Sequence, residues 1–192
     1  MRPVPPIPFT LPDLAEQLRS RPPSLGPVRL VAVDGYAGSG KTTFAAALAR
    51  ALGGAPTVHL DDLAAHGHFF DWVPRLEQQI LAPLRAGRTA RYRAYDWVAA
   101  AYRTQRQLPP APVVLLEGVG AGRRALRPEL AFTIWLDLDA ATTRARGEAR
   151  DGTELAGFWQ EWMREQSAHF ADDPTRPYAD LLVPAHMITT AS

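Results

Sequence analysis

The stretch from Val31 to Thr43, VAVDGYAGSGKTT, constrains this chain more than any other. Gly35, Gly40, Lys41 and Thr42 fit G-x-x-x-x-G-K-[ST], a pattern in which every fixed position answers to bound phosphate. Glycine lets the backbone bend tightly and brings nothing larger than hydrogen against the ligand. The bent loop aims N–H groups inward, and the helix that follows adds its positive end. Lys41 reaches the β- and γ-phosphates, and Thr42 offers a hydroxyl to Mg²⁺. Residues Gly35, Tyr36, Ala37, Gly38, Ser39, Gly40, Lys41, Thr42 and Thr43 are therefore read as the nucleotide cradle. The flanks agree: Arg29 to Asp34 is a short apolar run that reads as a buried strand, and Phe44 to Leu52 reads as a helix closed by Gly53 and Gly54. Lys41 is also the only lysine in a chain that uses arginine everywhere else, so a compact ammonium is what this position requires.

The 192 residues suffice for one α/β domain with a real core. A formal charge of +1 gives no reason to expect a nucleic-acid or membrane surface. The absence of cysteine excludes disulfides, a thiol nucleophile and cysteine-based zinc sites. No apolar run is long enough to span a bilayer, and the proline-rich start lacks the apolar core of a secretory signal, so the expected location is the cytoplasm.

Residues 1–27 read as a proline-rich arm carrying a short helix, Leu11 to Arg19, capped by Thr10. Residues 28–192 read as the domain proper. Pro56 to Asp62 reads as a second strand ending in two acids. Val73 to Ala86 reads as an amphipathic helix that Pro83 kinks or shortens. Thr89 to Trp97 reads as a short strand or hairpin arm, and Ala99 to Pro112 as loop. Val113 to Glu117 is a buried strand ending in an acid; Ala131 to Asp137 and Asp180 to Val183 complete the set. Helices are expected over Ala140 to Ala149 and Glu154 to Phe170, where Phe158, Trp159 and Trp162 read as core or contact residues. Strands alternating with helices imply an α/β fold, a mostly parallel sheet with helices on both faces.

Ligand sites in such sheets gather at the carboxyl ends of strands. That rule brings the loop together with Asp61 and Glu117, while Asp62, Arg123, Arg124 and Arg144 read as surface charge. His66 and His68 lack a clear third ligand and read as surface rather than as a metal site. One cationic loop, two acids and an arginine segment suit transfer of a phosphoryl group to a hydroxyl.

With those residues placed, the chain resembles the uridine kinase and phosphoribulokinase group of P-loop kinases over roughly residues 29 to 184. The resemblance rests on the loop, on Val58 to Leu63, on Tyr95-Asp96-Trp97, on Val114 to Gly118, on Arg146-x-x-x-Arg150-Asp151 and on Tyr178-Ala179-Asp180. It implies the P-loop fold, with five sheet strands in the order 2-3-1-4-5, ATP and Mg²⁺ as cofactors, and a catalytic set of Lys41, Asp61, Arg146 and Arg150, with Asp61 as base. It implies metal contacts from Thr42, Asp61 and Glu117, and acceptor contacts from Asp71, Tyr95 and Asp96. A lid over the phosphates would span about 144–155. The implied partners are ATP and a small hydroxylated acceptor, with a homo-oligomer among the assemblies allowed. Three departures stand out. Ala100 occupies the place of the family's base-reading histidine, Leu63-Ala64 replaces its aromatic, and Gly147 sits where a second lid arginine belongs. The expected activity is ATP-dependent phosphorylation of a nucleoside or similar molecule, with uridine and cytidine poor substrates. The alternatives are a kinase for a sugar or vitamin, or an adenine-nucleotide regulator with slow hydrolysis. A guanine-specifying N-K-x-D is impossible with one lysine.

Overall fold

The structure, a computed structural model, describes residues 9–152 and 155–184, apart from the side chains at 148, 150, 151 and 156. Its centre is β1 (Arg29–Asp34), buried along nearly its whole length. Leu30 and Ala32 face one side of the sheet, packing with Val58, Leu76 and Ile80. Val31 and Val33 face the other, packing with Phe44, Leu48 and Ile134. Successive side chains of a strand point to opposite faces, so an unbroken apolar run is what a strand covered on both sides requires.

The other sheet strands are β2 (Thr57–His59), β5 (Val113–Glu117), β6 (Leu130–Asp137) and β7 (Leu181–Pro184). All pair in parallel, in the order β2-β5-β1-β6-β7. Between β2 and β5 the chain inserts an antiparallel hairpin, β3 (Ala90–Asp96) and β4 (Ala101–Leu108), outside the sheet. Counted without that insert, the sheet order is the anticipated 2-3-1-4-5. The loop expected over Ala99 to Pro112 is therefore corrected: most of it is β4. Its central residues, Arg103 to Gln107, are all exposed. A strand with both faces in water carries no apolar alternation by which to be read.

Helices cover both faces. α2 (Lys41–Ala51) follows the loop, and α1 (Leu11–Ser20) packs beside it, seating Leu14 and Leu18 in the same core. α1 starts with a capping box, Thr10 receiving the Asp13 N–H and Asp13 the Thr10 N–H. On the opposite face α3 (Val73–Leu76) runs through a π turn at Glu77–Leu81 into α4 (Ala82–Arg85). The wide turn precedes Pro83, whose ring and missing N–H disrupt an ordinary helical ladder. α5 (Ala140–Asp151) and α6 (Ala156–Asp172) close the carboxyl end of the sheet. Among the described residues, no helix is long and apolar enough to cross a membrane.

Candidate active site

The loop between β1 and α2 is set by three glycines at positive φ: Gly35 at 150°, Gly38 at 84° and Gly40 at 88°. A Cβ on Gly38 would lie 2.1 Å from the Thr143 carbonyl, so the loop and α5 meet backbone to backbone. The first N–H groups of α2 have no intrahelical partner and face the loop's hollow, where an anion satisfies them. Lys41 is buried, and its Nζ donates to the Tyr36 carbonyl at 2.9 Å.

Asp34, which sequence reasoning passed over, is the buried hub of this end of the sheet. Its carboxylate accepts from Gly35 N at 2.7 Å, Gly120 N at 2.9 Å, Gly122 N at 3.0 Å and Thr175 Oγ1 at 2.7 Å. Burial pushes its pKa up, and the four donors pull it down. The signal was available: Asp34 ends a buried apolar strand, as Glu117 does. Gln166 of α6 was missed as well. It is buried, and its Oε1 accepts from the Ala37 N–H at 2.7 Å, anchoring the loop's crest. No sequence signal marks a glutamine 129 positions away.

Glu117 ends β5 beside the loop. Thr42 Oγ1 lies 3.4 Å from its Oε1, and His59 Nδ1 lies 2.7 Å from its Oε2. Asp61 does not end a strand: β2 stops at His59, and Asp61 and Asp62 lie on a 3-10 turn, Leu60–Asp62. The strand expected to run through Asp62 is thus shorter, and the two acids part on the turn that follows it. Asp62 Oδ2 turns to the hairpin, receiving Tyr92 OH at 3.3 Å with Arg106 Nε 3.8 Å away. Asp61 opens onto the cleft. The crowd of surrounding protein and the like charge of Glu117 raise its pKa, while Lys41 lowers it.

One cleft of about 220 Å³ is lined by Gly38, Gly40, Lys41, Thr42, Asp61, Glu117 and Arg146, among others. Arg146 lies one turn after Thr143 on α5, which places it over the loop. Arg150 lies on the same helix, and its side chain falls outside the described residues, as do residues 153 and 154 of the expected lid. Two like-charged carboxylates beside a hydroxyl form a hard-oxygen donor set that fits Mg²⁺.

A second cavity of about 440 Å³ shares Ala37, Asp61 and Trp162 with the first. Its walls are His66, Trp97, Phe158 and Trp159, with Val98 and Leu155 at the mouth. Trp159 and Trp162 are thus both core and wall. The three anticipated acceptor contacts do not converge on it. Tyr95 stands behind it, its hydroxyl 2.9 Å from His66 Nδ1. Asp96 receives the N–H groups of Val98 and Ala99, at 3.0 and 2.9 Å, and so caps the hairpin turn. Asp71 pairs with His68 at 2.9 Å and lines a different groove. The two loop histidines diverge, and no cluster of three or more metal-ligating side chains occurs among the described residues. Ala100, at φ 49°, sits exposed in the same turn.

Arg123 is not plain surface charge. It is part-buried, donating to the Phe70 carbonyl at 2.9 Å and lying 4.5 Å above the Trp72 ring. Its Nη2 also lies 3.2 Å from His169 Nδ1.

No protein-family model matches the chain. Among solved structures, it is similar to one described as a possible uridine kinase from Bacillus stearothermophilus. The identity is 18% and the TM-score 0.61, over 90% of this chain and 96% of that one. It is also similar to a provisionally assigned fructose transport system kinase from Silicibacter sp. TM1040. There the identity is 21% and the TM-score 0.56, over 95% of each chain. The likeness is one of fold.

Proposed function

We propose that this protein is a magnesium- and ATP-dependent kinase that moves the γ-phosphoryl group of ATP to a hydroxyl of a small acceptor. The observation that carries the reading is the convergence of Lys41, Thr42, Asp61, Glu117 and Arg146 on one cleft, with an acceptor-sized cavity sharing Asp61. The P-loop kinase fold of the two similar structures supports it.

In this reading the loop and the start of α2 hold the phosphates. Thr42, Asp61 and Glu117 hold Mg²⁺, which when bound neutralises charge on the phosphate oxygens. Asp61 takes the proton of the acceptor hydroxyl as that oxygen attacks the γ-phosphorus. The bond from phosphorus to the β–γ bridging oxygen breaks, and ADP leaves with the electron pair. Lys41 and Arg146 meet the charge that builds on the transferred group, and Arg150 joins them if the lid closes. Tyr95 acts on the acceptor through His66 and Asp96 by shaping the hairpin turn, while Asp71 lies apart in the neighbouring groove.

The test is ADP release with Mg²⁺ and ATP across a panel of nucleosides, sugars, vitamins and simple alcohols. Turnover that rises sharply with one acceptor class and vanishes in Lys41→Ala supports the reading. Slow hydrolysis indifferent to every acceptor overturns it in favour of a nucleotide-binding regulator.

A further inference from the structure

We infer that the acceptor is a flat aromatic or heteroaromatic alcohol, not a sugar and not a nucleoside recognised through its ribose. This rests on the kinase reading and names the substrate class of that site. The cavity beside Asp61 is walled by rings. His66 lies edge-on to Trp97 with centroids 5.0 Å apart, Phe158 stands 5.7 Å from Trp97 at 80°, and Trp162 lies 5.9 Å from Phe158. Such walls offer a planar guest stacking and edge contacts on several sides.

Among the described residues of the wall, the polar side-chain groups are Asp61, His66 and the indole N–H groups of Trp97, Trp159 and Trp162, that of Trp162 being buried without a hydrogen-bond partner. Asp61 is reserved for the reacting hydroxyl. His66 has one ring nitrogen engaged with Tyr95 OH, which leaves Nε2 for a single hydrogen bond to the guest's edge. A furanose or hexose carries several more hydroxyls, and each one buried without a partner costs binding. The carboxylates expected at the acceptor are committed elsewhere: Asp96 to the Val98 and Ala99 N–H groups, and Asp71 to His68 at another groove. His66 thus stands in for the histidine absent at Ala100, while among the described residues no carboxylate other than that of Asp61 lines the cavity.

The mouth fits the same guest. Val98 is 99% exposed and Leu155 46% exposed, an apolar lip on a cavity whose floor is charged. Trp97 ties the two functions together, because its Nε1 donates to the Asp61 carbonyl at 3.3 Å. A ring stacked on Trp97 is therefore delivered next to the base.

The probes are pyridylmethanol and naphthylmethanol against fructose, ribose and uridine, with ADP release and quenching of tryptophan fluorescence as two independent readouts. Pyridylmethanol and naphthylmethanol are expected to quench saturably and to release ADP, and fructose and ribose to do neither. Val98→Asp, at a fully exposed position that leaves the fold alone, should weaken the aromatic probes about tenfold with ATP affinity unchanged. Trp97→Ala should weaken them at least as much, with partial rescue by Trp97→Phe. Preference for fructose, ribose or uridine over the aromatic alcohols overturns the inference and leaves the kinase reading intact, as does the absence of any quenching. Saturable quenching that Val98→Asp weakens about tenfold, with no ADP from any acceptor, upholds the pocket's chemistry and overturns the kinase reading.

Discussion

At the scale of single residues the site is a matter of which charges face one another. Lys41 is held in the loop on the Tyr36 carbonyl, where its ammonium adjoins the phosphate hollow. Lys41→Ala removes that charge, and Lys41→Arg brings a planar fork that the hollow does not fit. Both variants should fold, with native circular dichroism, and lose phosphoryl transfer by at least about a hundredfold, the scale of one lost electrostatic stabiliser. Asp61 and Asp62 are neighbours with opposite fates. Asp61→Asn should abolish transfer while ATP binding persists. Asp62→Asn should retain most activity, because its carboxylate serves Tyr92 and Arg106 on the hairpin. Steady-state kinetics on the two variants decide this, and the reverse order would refute the placement of the base. Asp34 makes a different case. Asp34→Ala strands three N–H groups and the Thr175 hydroxyl in a dry interior. At about 1–3 kcal/mol for each unsatisfied group, a loss of about 3 kcal/mol or more is expected in urea unfolding.

At the scale of elements the decisive contact is α5 against α6. Gly147 lies within α5, where glycine costs about 1 kcal/mol relative to alanine. It is there because the Trp159 ring lies on it: a Cβ would fall 2.3 Å from that ring. The missing lid arginine therefore has a steric reason, and Gly147→Arg should lower Tm and open the aromatic cavity rather than improve the lid. Gly157→Ala in α6, where a Cβ meets nothing within 4 Å, is the matched control and should be neutral or stabilising by up to about 1 kcal/mol. α6 also carries a pH-dependent contact. Arg123 has only donors, so His169 Nδ1 must accept and the neutral ring keeps its proton on Nε2. Burial, with the Arg123 charge second, holds the His169 pKa down to about 4. Between about 4 and its ordinary 6.5 the unfolded chain binds the proton and the folded one does not. Stability is then fully present above pH 6.5 and falls as the pH drops toward 4. His169→Asn, which keeps an acceptor for Arg123, should flatten that limb in thermal melts across this range.

At the scale of the molecule, the sheet gathers strand ends, and the helices close over them. Asp34 joins β1 to the Gly120–Gly122 turn and to Thr175 before β7, so the loop's base is braced from both sides of the sheet. A ligand held there stabilises the whole domain. ATP with Mg²⁺ at one hundred times its Kd should add about 2.7 kcal/mol, a Tm rise of roughly 5–10 °C for a chain of this size. The same measurement on Lys41→Ala should show a smaller rise, and no rise with wild type would argue against nucleotide binding at the loop.

What the amino-acid order determined alone was whatever is local. Glycines with one lysine specify the loop, an unbroken apolar run specifies a central strand, and strand–helix alternation specifies the parallel sheet. The sheet order came with the resemblance carried by the loop motif, since short right-handed crossovers allow more than one order. The tertiary structure decided what depends on distant partners. β4 was hidden because a strand solvated on both faces has no pattern. The divergence of Asp61 from Asp62 came from a 3-10 turn packed against the hairpin, not from strand alternation. Gln166 on the loop crest and Trp159 on Gly147 are encounters of segments far apart in sequence. The aromatic cavity is of the same kind: Trp97 comes from the hairpin, Phe158 and Trp162 from α6, and His66 from the loop after β2. Periodicity records which face of an element is apolar, while which apolar faces enclose a cavity depends on how the elements pack.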